Sequence, residues 1–323
     1  MKKIKKQVIN CFLAGAMTAV LFLAACGQSD SEKNSGDNVW SSEDEETTED
    51  YGSSGEEEYF AASETEERTQ TMEFMDVYGI LHVLVIDPTA ILHDYDVEAF
   101  CLEEQQMLYT DTDAYSSRLG IDVSYYQGTI DWEQVKEAGF EFAFLRIGYR
   151  GYGEAGVLVE DEAFRKNLAG AQTAGLDVGV YFYAQAVSDE EAEEEARFVL
   201  ELLGDTELEL PVVYDPEYVL DSDGEKIEEA RTSALEGEQV TQNTLLFCEA
   251  MEEAGYAAAF YSNLLSESEV FDMTALAGIS VWYADYSETP QTPYAFTFWQ
   301  YSESGTVPGI EGAVDLNIQL MKN

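Results

Sequence analysis

The chain has 323 residues, and 65 Asp and Glu stand against 16 Lys and Arg, a formal net charge of −49. That excess excludes a protein that grips phosphates through a basic face, so no nucleic acid is expected as a partner. A hydrophobic content of 46%, with 20 Tyr, 16 Phe and 4 Trp, excludes a wholly disordered chain, and six Pro and four Cys exclude a collagen-like repeat or a disulfide scaffold.

The N-terminus reads as an address. Lys2, Lys3, Lys5 and Lys6 form a positive head, and an apolar stretch follows over 8–25. It ends in Leu23-Ala24-Ala25-Cys26, which resembles a bacterial lipobox. The small residues at 24 and 25 suit a peptidase groove, and the Cys26 thiol would take the lipid. Residues 1–25 are then a lipoprotein signal peptide, outside the fold. An uncleaved signal anchor is the competing reading. Two or more acyl chains on one cysteine hold a protein stably on a membrane. The expected location is the outer face of the bacterial cytoplasmic membrane, anchored through Cys26.

Residues 27–75 hold 16 acids against two bases, Lys33 and Arg68. Such a stretch cannot bury enough apolar surface to offset its ordering entropy. The segment 26–75 reads as a disordered acidic tether. Residues 76–118 are a small extension, either packed on the main domain or weakly ordered. A short strand pattern runs over 77–87, and Asp87-Pro88 marks a turn. His82 lies in an apolar run and reads as structural. Cys101 and Cys248 are candidates for a disulfide, against the plainer reading of Cys248 as a buried free thiol.

Residues 119–323 form the main domain. Strand runs fall at 119–124, 141–147, 177–183, 211–217, 256–262, 280–285, 295–301 and 314–319. The first four are almost continuously apolar, as strands covered on both faces must be. Helical patterns at 131–138, 160–174, 188–203 and 239–254 lie between them, with Asp131 and Ser188 as N-caps and a glycine after each. After 262 the helices shorten and the strands crowd together. This α/β alternation predicts an irregular (β/α) barrel, TIM-barrel-like, rather than a doubly wound sheet. No Gly-x-Gly-x-x-Gly follows the first strand, so a dinucleotide fold lacks its signature.

In such barrels the chemistry sits at the C-terminal strand ends. Those ends carry Asp122, Arg146, Tyr183, Asp215 with Glu217, Asp285, Trp299 with Tyr301, and Asp315. Unpaired buried carboxylates are costly, so core filling explains these acids poorly. The run 211–217 (PVVYDPE) is the sharpest signal. Residues i and i+2 of a strand point the same way, about 6.6 Å apart at Cα. Asp215 and Glu217 would share one mouth, perturb each other, and leave one protonated near neutral pH. Glycosidic cleavage needs one proton donor and one charge stabiliser. Tyr181, Tyr183, Trp282, Trp299 and Tyr301 cluster at strand ends with further tyrosines. Aromatic faces pack on sugar C–H faces, although about half of these rings would be expected to fill core.

These segments carry a resemblance. Gly120-Ile121-Asp122-Val123-Ser124-Tyr125-Tyr126-Gln127-Gly128, followed by Ile130-Asp131-Trp132, resembles the opening motif of glycoside hydrolase family 25 lysozymes. Runs 142–146, 179–183 and 211–217 resemble that family's next strands. Runs 282–286, 299–301 and 309–317 resemble its closing motifs. The likeness covers nearly all of 119–318 and none of 27–118. It implies an irregular barrel and N-acetylmuramidase activity on peptidoglycan glycan strands, without metal or other cofactor. It further implies Glu217 as general acid and Asp215 as nucleophile or as the group orienting the substrate's 2-acetamido arm. Asp122 and Asp315 are implied as further active-site acids. Arg146, Tyr181, Tyr183, Trp282, Asp285, Trp299, Tyr301 and Asp315 would surround the substrate.

Pro216 between the two acids removes an N–H donor at the strand's end. The acidic stretch 221–238 reads as a loop over the cleft. A lipid-anchored wall-binding protein with an inactive site is the second reading, and a chitinase-type hydrolase the third. Val213 stands where chitinases carry an acid. A monomer is expected. Residues 119–323 hold nine basic against 40 acidic side chains, so an anionic wall polymer is not attracted overall. Recognition must come from the cleft.

Overall fold

The computed structural model describes residues 70–76, 79–221 and 225–323. The expectations for 1–25, for Cys26 and for the tether up to residue 69 lie outside those residues. The described residues form thirteen strands and five α-helices in chain order. The first four strands are β1 (Gln70–Met75), β2 (Leu81–Ile86), β3 (Phe100–Glu103) and β4 (Gln106–Tyr109). β5 (Tyr115–Val123) leads to α1 (Trp132–Glu137), then β6 (Phe142–Arg150), β7 (Leu158–Glu160) and α2 (Phe164–Ala174). β8 (Asp177–Ala184), α3 (Asp189–Leu203), β9 (Val212–Pro216), α4 (Gly237–Glu253), β10 (Ala258–Asn263) and α5 (Leu264–Glu269) come next. β11 (Ser280–Ala284), β12 (Phe298–Gly305) and β13 (Val314–Lys322) end the order.

Eight of these strands close a barrel in the order β5, β6, β8, β9, β10, β11, β12, β13 and back to β5. Each predicted strand run is found at its place. Neighbours from β5 to β12 run parallel, and β13 is antiparallel to both β12 and β5. A parallel return needs a long crossover, and the short 306–313 connection permits only an antiparallel one.

The α/β alternation holds as far as β10 and then breaks down, in line with the shortening helices read after 262. No α-helix follows β11 or β12. The result is a mixed eight-stranded closed barrel with few helices. The residues before the barrel cover part of its bare outer wall. Phe100 lies edge-on to Trp299 at 5.0 Å, and Tyr301 Oη donates to the Gln105 carbonyl at 3.0 Å. Tyr95 Oη donates to the Phe296 carbonyl at 2.5 Å and accepts from the Phe296 N–H at 2.6 Å. The described part of the 76–118 extension is therefore packed structure. Its order starts earlier than the sequence suggests, because β1 uses Gln70–Met75, the end of the stretch read as tether.

The barrel interior is plugged by Phe142, Phe144, Val213, Trp282 and Phe298. Two glycines make room for this plug. A Cβ on Gly120 would stand 2.3 Å from the Phe142 ring, and one on Gly179 would stand 2.5 Å from Phe144. The floor is a packed core, as in barrels generally, and polar groups begin only above it.

Local signals held where they were simple. The Asp131 carboxylate accepts from the Gln134 N–H and the Ser188 hydroxyl from the Glu191 N–H, so both expected N-caps stand. The 160–174 helix begins only at Phe164, because 158–160 pair with β6 as β7. His82 is structural, held between Asp76 at 3.0 Å and Glu269 at 2.7 Å. Cys101 and Cys248 do not pair. Cys101 is an exposed free thiol on β3 and Cys248 a buried one on α4.

Candidate active site

Strand alternation decides which side chains reach the mouth. On β5 and β13 it turns Asp122, Asp315 and Asn317 inward, with Asp122 directly opposite Asp315. Asp122 Oδ2 accepts from Gln300 Nε2 at 2.9 Å and from Asn317 Nδ2 at 2.8 Å. Both amides are themselves held. Trp282 Nε1 donates to Asn317 Oδ1 at 2.8 Å, and the Tyr261 and Tyr286 hydroxyls each donate to Gln300 Oε1 at 2.9 Å. Burial raises Asp122 against these donors and against a hydrogen bond from Asp315. Burial first, then the Asp122 charge, pushes Asp315 up to about 9. The two amide donors converge on Asp122 and favour its charged form over that of Asp315.

Asp215 comes from β9 and lies opposite Tyr183 of β8. It is buried, and its Oδ1 has no hydrogen-bond partner among the described residues. Burial, then the charges of Glu217 and Asp122, hold it well above the usual carboxylate range, with Arg146 pulling weakly the other way. Glu217 stands one residue past β9. Burial, then the Asp122 charge, lifts it to about 7. Its side chain is nevertheless exposed to solvent. A carboxyl crowded by protein yet reachable from outside is what a proton donor to a bound ligand requires.

Arg146 does not bond Asp215. Its guanidinium pairs with Asp161 at 2.8 Å and lies over the rings of Tyr125, Tyr126 and Tyr149, with centroids 5.1–5.5 Å away. Tyr181 and Tyr183 face the acids. Burial holds both hydroxyls well above the usual range, and the charge of Asp215 adds to this in each. They stay protonated and can donate.

Four residues expected around a substrate are placed elsewhere. Trp282 is 1% exposed and forms the floor, edge-on to Tyr181 and Tyr261. Trp299 and Tyr301 point out of the barrel toward the extension, because alternation gives the inward place between them to Gln300. Asp285 accepts from the Tyr283 hydroxyl at 3.0 Å and from the N–H groups of Ser287 and Gln291, so it orders the loop behind the wall. The structure instead adds Gln300, Asn317, Tyr261 and Asp161 to the site. The first two were legible as the inward partners in 299–301 and 315–317, had strict alternation been applied. Asp161 was hidden by the helical reading of 160–174. Among the described residues, no cluster of His, Cys, Asp and Glu has the arrangement of a metal site.

The acidic stretch after Glu217 packs beside the site through Thr232, whose hydroxyl donates to Gln185 Oε1 at 3.0 Å. It ends earlier than expected, since Glu238 already belongs to the first turn of α4.

Residues 121–310 match the family model for glycosyl hydrolases family 25. The autolytic lysozyme of Clostridium acetobutylicum is 26% identical over 199 residues, covering 61% of this chain and 54% of the relative. The chain thus spans about half the length of that relative. The crystal structure of a bacterial lysozyme from Streptomyces coelicolor is 26% identical with a TM-score of 0.50, covering 62% of this chain and 91% of that one. The modular autolysin LytC of Streptococcus pneumoniae, solved with a synthetic peptidoglycan ligand, has a TM-score of 0.55 at 20% identity. It covers 77% of this chain and 56% of its own, and speaks for the fold alone.

Proposed function

The chain belongs to glycosyl hydrolase family 25, and from that premise we propose that it cleaves peptidoglycan glycan strands as an N-acetylmuramidase. The bond is the β-1,4 link from N-acetylmuramic acid to N-acetylglucosamine, and Glu217 is the proton donor. The observation that carries this reading is the pairing of Glu217 with Asp215 at the end of β9. One carboxyl is reachable and lifted to about 7, and the other is buried with an unused oxygen.

Glu217 gives its proton to the leaving sugar oxygen as the glycosidic bond lengthens. Positive charge then grows on the ring carbon and ring oxygen. An ionised Asp215 stabilises it, directly or by orienting the 2-acetamido arm. An acetamido N–H aimed at Asp215 Oδ1 supplies the donor that oxygen lacks, and such a bond favours the charged carboxylate. Glu217, now a carboxylate, takes a proton from the water that completes hydrolysis. Tyr181, Tyr183 and the Asp122–Gln300 network fix the walls. Mass analysis of products from purified peptidoglycan tests the reading. Reducing-end N-acetylmuramic acid is expected. Reducing-end N-acetylglucosamine, or no cleavage, would overturn it.

We further propose that a lipid on Cys26 holds the protein, as a monomer, on the outer face of the cytoplasmic membrane. The support is the Leu23–Cys26 box followed directly by the acidic run. A Cys26→Ser variant should leave the detergent fraction. A variant that stays there, unprocessed, makes the apolar stretch a membrane anchor instead.

A further inference from the structure

Glu217 is poorly held by its own strand. β9 ends at Pro216, which has no N–H to give to the ladder. The last pair between β8 and β9 is Ala184 with Pro216, so the next residues, Gln185 and Glu217, lie just beyond the ladder. There a side chain takes over. Gln185 Nε2 donates to the main-chain carbonyl of Glu217 at 2.6 Å, and Gln185 Oε1 accepts from the Thr232 hydroxyl. The Gln185 main chain is pinned in turn, its N–H donating to Glu195 Oε1 at 3.1 Å. Glu195 also accepts from Arg150 Nε and from the Tyr214 hydroxyl, each at 2.8 Å.

Gln185 is fully buried, yet a cavity of about 20 Å3 adjoins it, bounded also by Glu217, Thr232 and Asn243. That is room for about one water molecule. Packing alone therefore does not wedge the amide. Its two hydrogen bonds set its direction.

We propose that Gln185 is a positioning residue for Glu217. Its amide fixes the carbonyl of the proton donor and ties it, through Thr232, to the loop that follows. The role rests on the muramidase reading of Glu217. The side chain of Glu217 is free on its outer side, so its direction depends on the main chain that carries it. A misplacement of about 1 Å costs about 100-fold in rate.

The test measures kcat and KM on a soluble peptidoglycan glycan fragment, for the full chain and for Gln185→Met, Gln185→Glu, Thr232→Val and Glu217→Gln. Gln185→Met keeps length and loses the amide. Its kcat should fall about 100-fold, with KM changed less than about twofold because substrate contacts remain. Thr232→Val should fall about tenfold, since the amide loses one of its two guides. Gln185→Glu is the discriminating variant. Its protonated form can still donate to the Glu217 carbonyl, so activity should approach wild type at low pH. It should then fall earlier than wild type as pH rises and the new carboxylate repels that carbonyl. A folded Gln185→Met with wild-type kcat, beside an inactive Glu217→Gln, overturns the proposal. So does a Gln185→Glu pH profile that matches wild type. Wild-type turnover by Glu217→Gln overturns the muramidase reading itself.

Discussion

Asp122 and Asp315 face each other across the antiparallel seam that closes the barrel, and the Asp315 carboxyl hydrogen-bonds the Asp122 carboxylate. Two adjacent carboxyls cannot both ionise cheaply. The Gln300 and Asn317 amides aim at Asp122 alone and favour its charged form. A charge on Asp122 is in turn a cause of the raised pKa of Glu217.

Removing that charge should move the pH dependence of activity. Burial raises Glu217 first and Asp122 second, so Asp122→Asn should lower its pKa only in part. A proton donor is useful while protonated, so activity falls as pH rises through its pKa. The alkaline limb of kcat/KM, near pH 7 in the wild type, should shift to lower pH by about one unit. Asp315→Asn keeps a donor toward Asp122 and should leave that limb in place. Release of reducing ends across the pH range measures both.

Stability should fall as the solution becomes alkaline. Burial lifts Glu267 from its ordinary 4.5 to about 8, with only the Thr292 and Ser262 hydroxyls to oppose it. Asp315 is raised to about 9. A raised carboxyl pKa means the folded chain keeps a proton that the unfolded chain has released. Its stabilising contribution is complete below the unfolded value and is lost as pH rises through the folded one. The window runs from about pH 4.5 to about pH 9. The melting temperature should drop by about 5 °C or more between pH 5 and pH 9. Glu267→Gln should flatten the curve, since it removes the buried ionisation and leaves the hydroxyl partners. A melting temperature that rises with pH would contradict the assignment.

The extension should prove inseparable from the barrel. Among the described residues no α-helix covers the outer side of β12 or β13, and Phe100, Gln105 and Tyr95 fill that place. A chain beginning at Gln70 should unfold cooperatively. A chain beginning at Arg118 loses its first three β5 residues and exposes Trp299 and Phe296, so it should aggregate or melt broadly. Trp299 fluorescence should shift to the red in the shorter chain. Equal, sharp transitions in both would show that the extension adds nothing to the core.

The strands were legible because buried parallel strands are continuously apolar, and β6 and β8 are such runs. The catalytic candidates at strand ends followed from the same pattern, so Asp122, Asp215, Glu217, Arg146, Tyr181, Tyr183 and Asp315 are found around one mouth. Where residue type and the strand period of two disagree, the period decides. Trp299 and Tyr301 look like sugar platforms by residue type, but the inward place belongs to Gln300. The partner that draws them outward, the β3–β4 hairpin, is distant in sequence and carries no local signal. Asp161 was missed for a related reason. An Asp three residues before Phe164 reads as the start of a helix, and only the fold brings it to Arg146.

Glu217→Gln is the sharpest test of the chemistry. Gln copies the shape of a protonated carboxyl and can donate a hydrogen bond, but it cannot release a proton. The carbonyl of residue 217 would still accept from Gln185, so the main chain at the end of β9 should not move. Neutralising a carboxyl that is crowded by protein should also leave stability equal or slightly higher, most visibly above pH 7, where Glu217 would otherwise ionise. Activity should fall by about two to four orders of magnitude, which is the usual cost of losing general acid catalysis. The loss should fall on kcat, since the wall tyrosines and the Asp122 network still bind the glycan. Asp215→Asn should lose a similar amount by another route, because it removes the charge that meets the developing cation. Glu238→Gln, on the exposed first turn of α4, should change neither folding nor rate. Circular dichroism checks the fold and reducing-end release measures the rate. If Glu217→Gln turns over like the wild type, the proton must come from elsewhere, and Asp315, a mouth carboxyl raised to about 9, becomes the donor to test.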